Sequence, residues 1–291
     1  MTKDTTTNTD PAPASAPAPP PPPPPDPDAV TTRLRAAGCV FAEEEADLLI
    51  GATTDPALLD DFINRRCAGE PLEHIIGWAE FCGLRIAVGP GTFVPRRRSE
   101  FLVQTALVTV LDADPIPPAI TILDLCCGVA PFATALATRL SAAGHHLEIH
   151  AADLDPTQLA YARRNLAPFA DRAHVHEGDL YSALPDTLRG SVDLLVVNAP
   201  YVPTSAIATL PAEARAHEPR ASLDGGADGL DLHRRIAAGA PEWLAPAGHV
   251  LIETSQEQAA TTLAAFRAAG LAARIVEDED LDATVVIGEH L

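Results

Sequence analysis

Ser191-Val192-Asp193-Leu194-Leu195-Val196-Val197-Asn198-Ala199-Pro200-Tyr201-Val202-Pro203 carries an apolar run that stops at a polar tetrapeptide stiffened by proline. Such a run reads as a strand buried on both faces, and its abrupt end puts Asn198 at the carboxyl edge of a sheet, where open α/β folds bind ligands. Asn198 offers one amide oxygen and one NH2 group, and Pro200 fixes the backbone so that nearby carbonyls can turn toward a pocket. Tyr201 adds a flat wall with a polar tip. Two adjacent acceptors grip one NH2 group, so Asn198, Ala199, Pro200 and Tyr201 read as a clamp for a planar, NH2-bearing substrate. An isolated four-residue match is more often a strand followed by a proline turn, and the rest of the chain has to decide between the two.

Around this stretch, strands and helices alternate. Strands are expected at Thr121–Leu125, Leu147–Ala152, His174–His176, Asp193–Val197, His249–Glu253, Ala272–Val276 and Ala283–Ile287. Helices are expected at Phe101–Leu111, Pro131–Ala143, Thr157–Leu166, Gly229–Trp243 and Glu257–Ala269. This alternation implies a mostly parallel sheet with helices on both faces. The expected fold is a Rossmann-like domain of seven strands over residues 96–291. Ahead of it, helical spacing of Leu34, Leu49, Leu59 and Phe62 marks a small helical domain over 30–76. Period-two alternation broken at Gly83 and at Gly89-Pro90-Gly91 marks a β-hairpin linker over 77–95. Residues 1–29, rich in Pro and Ala, cannot bury apolar surface and read as a disordered tail. Arg96-Arg97-Arg98 reads as a solvated helix start, with contact to an acidic group as the less favoured alternative.

Three strand ends point to a nucleoside-bearing cofactor. The first strand runs through Asp124 into Cys126-Cys127-Gly128-Val129-Ala130, a tight turn ahead of a helix N-terminus. It has the outline of the D-x-x-x-G-x-G loop that binds S-adenosylmethionine, with Ala130 where a second glycine is expected. Ala130 must therefore take a negative φ or accept strain. Asp153, 29 residues after Asp124, is placed to accept from ribose hydroxyls, and Asp155 to cap the next helix. Asp179 and Leu180 close the third strand, suited to an adenine NH2 and ring face. Asn198 borders the same site.

The formal charge of −20 and the single lysine, Lys3, disfavour nucleic acid as a direct partner. Five cysteines without a C-x-x-C pair argue against a disulfide framework or a zinc ribbon. With no signal peptide or bilayer-length apolar run apparent, a cytoplasmic location and no membrane partner are expected. His174 and His176 share a strand face, but neither they nor His145-His146 show metal-ligand spacing to a carboxylate or Cys, so core or solvated histidines are expected.

From Arg65 onward the chain resembles the protein-(glutamine-N5) methyltransferases of the HemK/PrmC type. The resemblance rests on Arg65-Arg66 with Gly69-Glu70-Pro71-Leu72, on Gly77 and Glu80-Phe81, and on Val94-Pro95-Arg96 with Ser99-Glu100. It continues in Glu218-Pro219-Arg220 and in Leu223–Leu230, LDGGADGL. The family's NPPY clamp falls on Asn198–Tyr201, its ribose acid on Asp153 and its glycine loop on Cys126–Ala130. Ala199 departs from that pattern, as do Cys126-Cys127, Ala130, Arg97-Arg98 and a short helical domain. The resemblance implies S-adenosyl-L-methionine as cofactor and methylation of the GGQ glutamine of a peptide-chain release factor. The alternatives are a nucleic-acid or small-molecule N-methyltransferase, or a degenerate protein that only binds the cofactor.

Overall fold

In the computed structural model the described residues are 26–112 and 119–291, so the expected disordered tail lies outside them up to Pro25. Helix α1 (Pro27–Ala36) begins within the segment assigned to that tail, because Asp26 accepts the Asp28 N–H and Pro27 sits in the first turn. Helices α2 (Ala42–Ala52) and α3 (Pro56–Cys67) follow. Among the described residues, those up to Ile63 form one compact unit and those from Asn64 to Leu291 a second. The first unit buries Val30, Leu34, Ala46, Leu49 and Leu59 at helical spacing.

The second unit opens with the short helix α4 (Leu72–Ile76), then β1 (Trp78–Phe81) and β2 (Leu84–Ala87) as an antiparallel hairpin. Cys82 and Gly83 turn it, both at positive φ, as a two-residue loop between twisted strands requires. Ala79, Phe81 and Ile86 join the same core as the sheet, so the hairpin packs within this unit.

The remaining elements are α5 (Glu100–Leu111), β3 (Ala119–Leu125), α6 (Pro131–Ala142), β4 (His146–Asp153), α7 (Pro156–Asn165), β5 (Ala173–Glu177) and β6 (Val192–Val197). After them come α8 (Ala212–His217), α9 (Asp231–Trp243), β7 (Leu244–Thr254), α10 (Gln256–Ala268), β8 (Ala272–Asp278) and β9 (Ala283–Glu289). The seven-stranded sheet has the order β5-β4-β3-β6-β7-β9-β8, with β9 antiparallel to both neighbours and the other adjacent pairs parallel. Leu194 and Val196 enter one hydrophobic core, and Leu195 and Val197 the other. That is why the run has no polar alternation: both faces of β6 are covered. Strand order reverses between β3 and β6, and the crevice beyond their carboxyl ends is where such a sheet binds ligands. Among the described residues no helix is long and apolar enough to cross a membrane.

Candidate active site

The loop after β3 is held by acids on two sides. Asp124 is fully buried, and its Oδ2 accepts the Ala133 N–H (3.0 Å) in the first turn of α6. Burial raises its carboxyl well above the usual range. Asp124 does not line the cavity beyond the loop; it anchors the loop from beneath. Asp153, at the end of β4, accepts the Gly128 N–H (2.8 Å) on one oxygen and the Asp155 N–H (2.9 Å) on the other. Each oxygen keeps a lone pair for a further donor. Burial raises the Asp153 carboxyl too, against the pull of those backbone donors. Asp155 caps α7 by accepting the Thr157 N–H.

Ala130 adopts φ 58°, ψ 47°, the left-handed conformation that glycine takes freely. The loop therefore carries backbone strain at Ala130, at a cost of about 1–2 kcal/mol. Cys126, Gly128 and Leu180 share positive φ. Burial pushes both Cys126 and Cys127 thiols upward, so they stay neutral and act as small apolar walls.

These elements enclose a cavity of about 420 Å3 lined by Cys126–Val129, Asp153, Asp179, Leu180, Asn198 and Pro200, with Phe132 among its apolar walls. Ala130, itself fully buried, does not line it. Asp179 pairs at 2.7 Å with Arg235 and is half exposed at the rim. Gln158 of α7 was not singled out from sequence. It accepts the Phe93 N–H (3.1 Å) and donates to Ser222 (2.9 Å), so it ties two loops together at the cavity wall.

A second cavity, about 580 Å3, lies on the other side of the tetrapeptide and shares Phe93, Arg96, Asn198, Pro200 and Ser222 with the first. Asn198 Nδ2 donates to Ser99 at 3.4 Å, which leaves Oδ1 as the free acceptor of the amide. Ala199 is buried. The Tyr201 hydroxyl donates to Glu253 (3.2 Å) and accepts from Arg98 (2.7 Å). Burial, then the Glu253 charge, push its phenol upward. Burial opposes the Arg98 cation, but Tyr201 and Glu253 outweigh it and raise its pKa. Arg96 pairs with buried Glu218, whose carboxyl burial raises even though Arg96 opposes the change. The segment does open a helix and Arg97 and Arg98 are exposed, as expected, but Arg96 and Arg98 also pair with acids, the alternative the sequence reading favoured less.

The LDGGADGL loop holds the tetrapeptide in place. Val202 N–H donates to Leu223 O, Gly225 N–H to Val202 O, and Gln258 Nε2 to Tyr201 O. A Cβ at Gly225 would stand 2.6 Å from Pro200 O, and one at Gly229 would stand 2.2 Å from Tyr201 O. The glycines are required because two stretches of backbone touch here. Pro200 O and Tyr201 O both lie against this loop.

A methyltransferase domain model matches residues 122–218. The release factor glutamine methyltransferase of Geobacter sulfurreducens is 38% identical over 208 residues, 72% of this chain and 69% of that protein. The 4-amino-L-phenylalanine/4-methylamino-L-phenylalanine methyltransferase of Streptomyces pristinaespiralis is 33% identical over 243 residues, 82% of this chain and 80% of that one. The catalytic domain of hMettl16, solved with the MAT2A 3′UTR hairpin 6, matches at TM-score 0.53 and 13% identity, over 85% of this chain and 82% of that one; the likeness is one of fold. Sheet order and loop define a Rossmann-like methyltransferase, an enzyme that uses S-adenosyl-L-methionine. Within that class, the chain belongs to the release factor glutamine methyltransferase family.

Proposed function

We propose that the protein transfers a methyl group from S-adenosyl-L-methionine to the side-chain amide nitrogen of the GGQ glutamine in a peptide-chain release factor. The carrying observation is the position of Asn198 in the wall shared by the two cavities, with Oδ1 uncommitted. The first cavity's donor set fits the cofactor: Asp153 for the ribose hydroxyls, Asp179 and Leu180 for the adenine, and neutral Cys126 and Cys127 with Gly128 and Val129 as close walls. When bound, the cofactor supplies an electrophilic methyl on a sulfonium sulfur.

The chain's own contribution is orientation. An amide nitrogen is a poor nucleophile because its lone pair is delocalised, so holding it in the attacking geometry lowers the barrier. Asn198 Oδ1 and the Ala199 carbonyl accept the two amide protons, while Pro200 and Tyr201 flank the amide plane. As the new bond forms, the nitrogen becomes acidic and both acceptors bind its protons more strongly than in the ground state. No separate general base is required, because the nitrogen, made strongly acidic by the new N–C bond, sheds one of its two protons to water once that bond has formed.

The test is mass spectrometry of a recombinant release factor incubated with this protein and the cofactor, beside a small aromatic amine as competing acceptor. A methyl on the GGQ glutamine supports the proposal. Methylation of the amine alone would overturn the substrate and leave the clamp standing. Cofactor binding with no transfer would make the chain a binding protein.

A further inference from the structure

Strand β5 is the edge of the sheet and pairs only with β4. His150 of β4 lies opposite His174 of β5, so Glu148, His150, His174 and His176, each two residues from its strand neighbour, project from one face. The sequence did not reveal this cluster because its members come from two strands whose register only the fold sets. One ligand atom from each of Glu148, His150 and His174 lies within 4.8 Å of the others. His150 Nε2 is 3.1 Å from Glu148 Oε1, close to the separation of about 3.3 Å between two ligands on a tetrahedral ion with bonds of about 2.0–2.1 Å. The other ring nitrogen, Nδ1, is 2.9 Å from His176 Nε2.

We propose that Glu148, His150 and His174 form a binding site for one transition-metal ion of the zinc type, oriented by His176. An imidazole and carboxylate set suits Zn2+ better than Ca2+ or Mg2+, which take oxygen ligands. With the ion on His150 Nε2, the remaining ring proton sits on Nδ1 and donates to His176 Nε2, the outer hydrogen bond that metal-bound histidines characteristically make. Binding therefore replaces the Glu148–His150 hydrogen bond by two bonds to the ion and shifts the His150 tautomer. His150 is buried and fixed by that contact, whereas Glu148 and His174 are exposed and free to close on an ion from solvent. His174 needs the larger movement, because its ring now stacks on His150 with centroids 5.0 Å apart. Solvent supplies the fourth position. The ion ties the unprotected edge strand to its neighbour three residues ahead of Asp153 and Asp179.

Co2+ is the probe, titrated into the reduced full-length chain. The expected result is one equivalent giving a tetrahedral ligand-field spectrum without a thiolate charge-transfer band, displaced by Zn2+. His174→Ala and Glu148→Gln, both at exposed positions, abolish that spectrum, and His176→Ala weakens binding about 10–100-fold. A thiolate spectrum, no spectrum, or one unchanged in His174→Ala would overturn the site; unchanged affinity in His176→Ala would overturn its orienting role. None of these readouts depends on methyl transfer.

Discussion

Replacing Gly229 by Ala is expected to lower stability and turnover together. At φ 82° the new side chain sits in the left-handed region, and its Cβ would stand 2.2 Å from Tyr201 O and 2.4 Å from Gln258 Nε2. The conformation costs about 1–2 kcal/mol. The overlap is about 1 Å deep and involves backbone oxygen, so it adds about 2–3 kcal/mol in displaced structure. For a unit of this size, a total of about 3–5 kcal/mol lowers Tm by roughly 6–20 °C. Relief requires Tyr201 to move, and Tyr201 is three residues from Asn198. A shift of about 1 Å at a positioning group costs about 100-fold in turnover. Gly270→Ala is the control, with φ 88° and nothing within 4 Å of its Cβ; it should lose about 1–2 kcal/mol and no activity. The assays are urea melts and methyl transfer to release factor at saturating cofactor. If Gly229→Ala keeps turnover within twofold, or melts no earlier than Gly270→Ala, the glycine loop does not position the clamp.

Asn198→Ala should depress turnover about 100–1,000-fold with cofactor affinity little changed, measured by steady-state kinetics beside calorimetric titration; equal losses in both would remove its role as acceptor. Asp153→Asn should weaken cofactor binding roughly tenfold or more, since a charge-assisted hydrogen bond is lost; an unchanged dissociation constant would place the ribose elsewhere. His233, fully buried, has its pKa lowered to about 4 by burial and then by Arg234. The unfolded chain takes up this proton below about pH 6.5 and the folded chain only near 4, so stability falls by up to about 3 kcal/mol as pH drops through that window. His233→Gln should flatten that slope in urea melts across pH 4–7; an unaltered slope would assign it to other groups.

The sheet was legible because β3 and β6 are largely apolar runs that stop at turns carrying Gly128 and Pro200, signals that need no tertiary knowledge. Asp153 and Leu180 could likewise be placed from their positions at strand ends. Asp124 could not: a strand-end acid looks alike whether it meets a ligand or a helix N-terminus, and here it meets α6. Ala130 had two backbone solutions, and the surrounding bonds chose the strained one. Gln158 and Glu253 gave no local signal, since each acts on partners dozens of residues away. Arg96 and Arg98 were visible, but their pairing with acids was the less favoured reading, because a run of like charges says nothing about which member turns inward. The four residues at the sheet edge became a group only once β4 and β5 were set side by side.

The wall shared by the two cavities also bears on inhibition. On the function proposed above, cofactor and acceptor take the two cavities that both border on Asn198 and Pro200, so each ligand has a compartment of its own. Random-order kinetics are expected from that plan, and a bisubstrate inhibitor would join an adenosyl half to a glutamine half across the wall that Asn198 and Pro200 share.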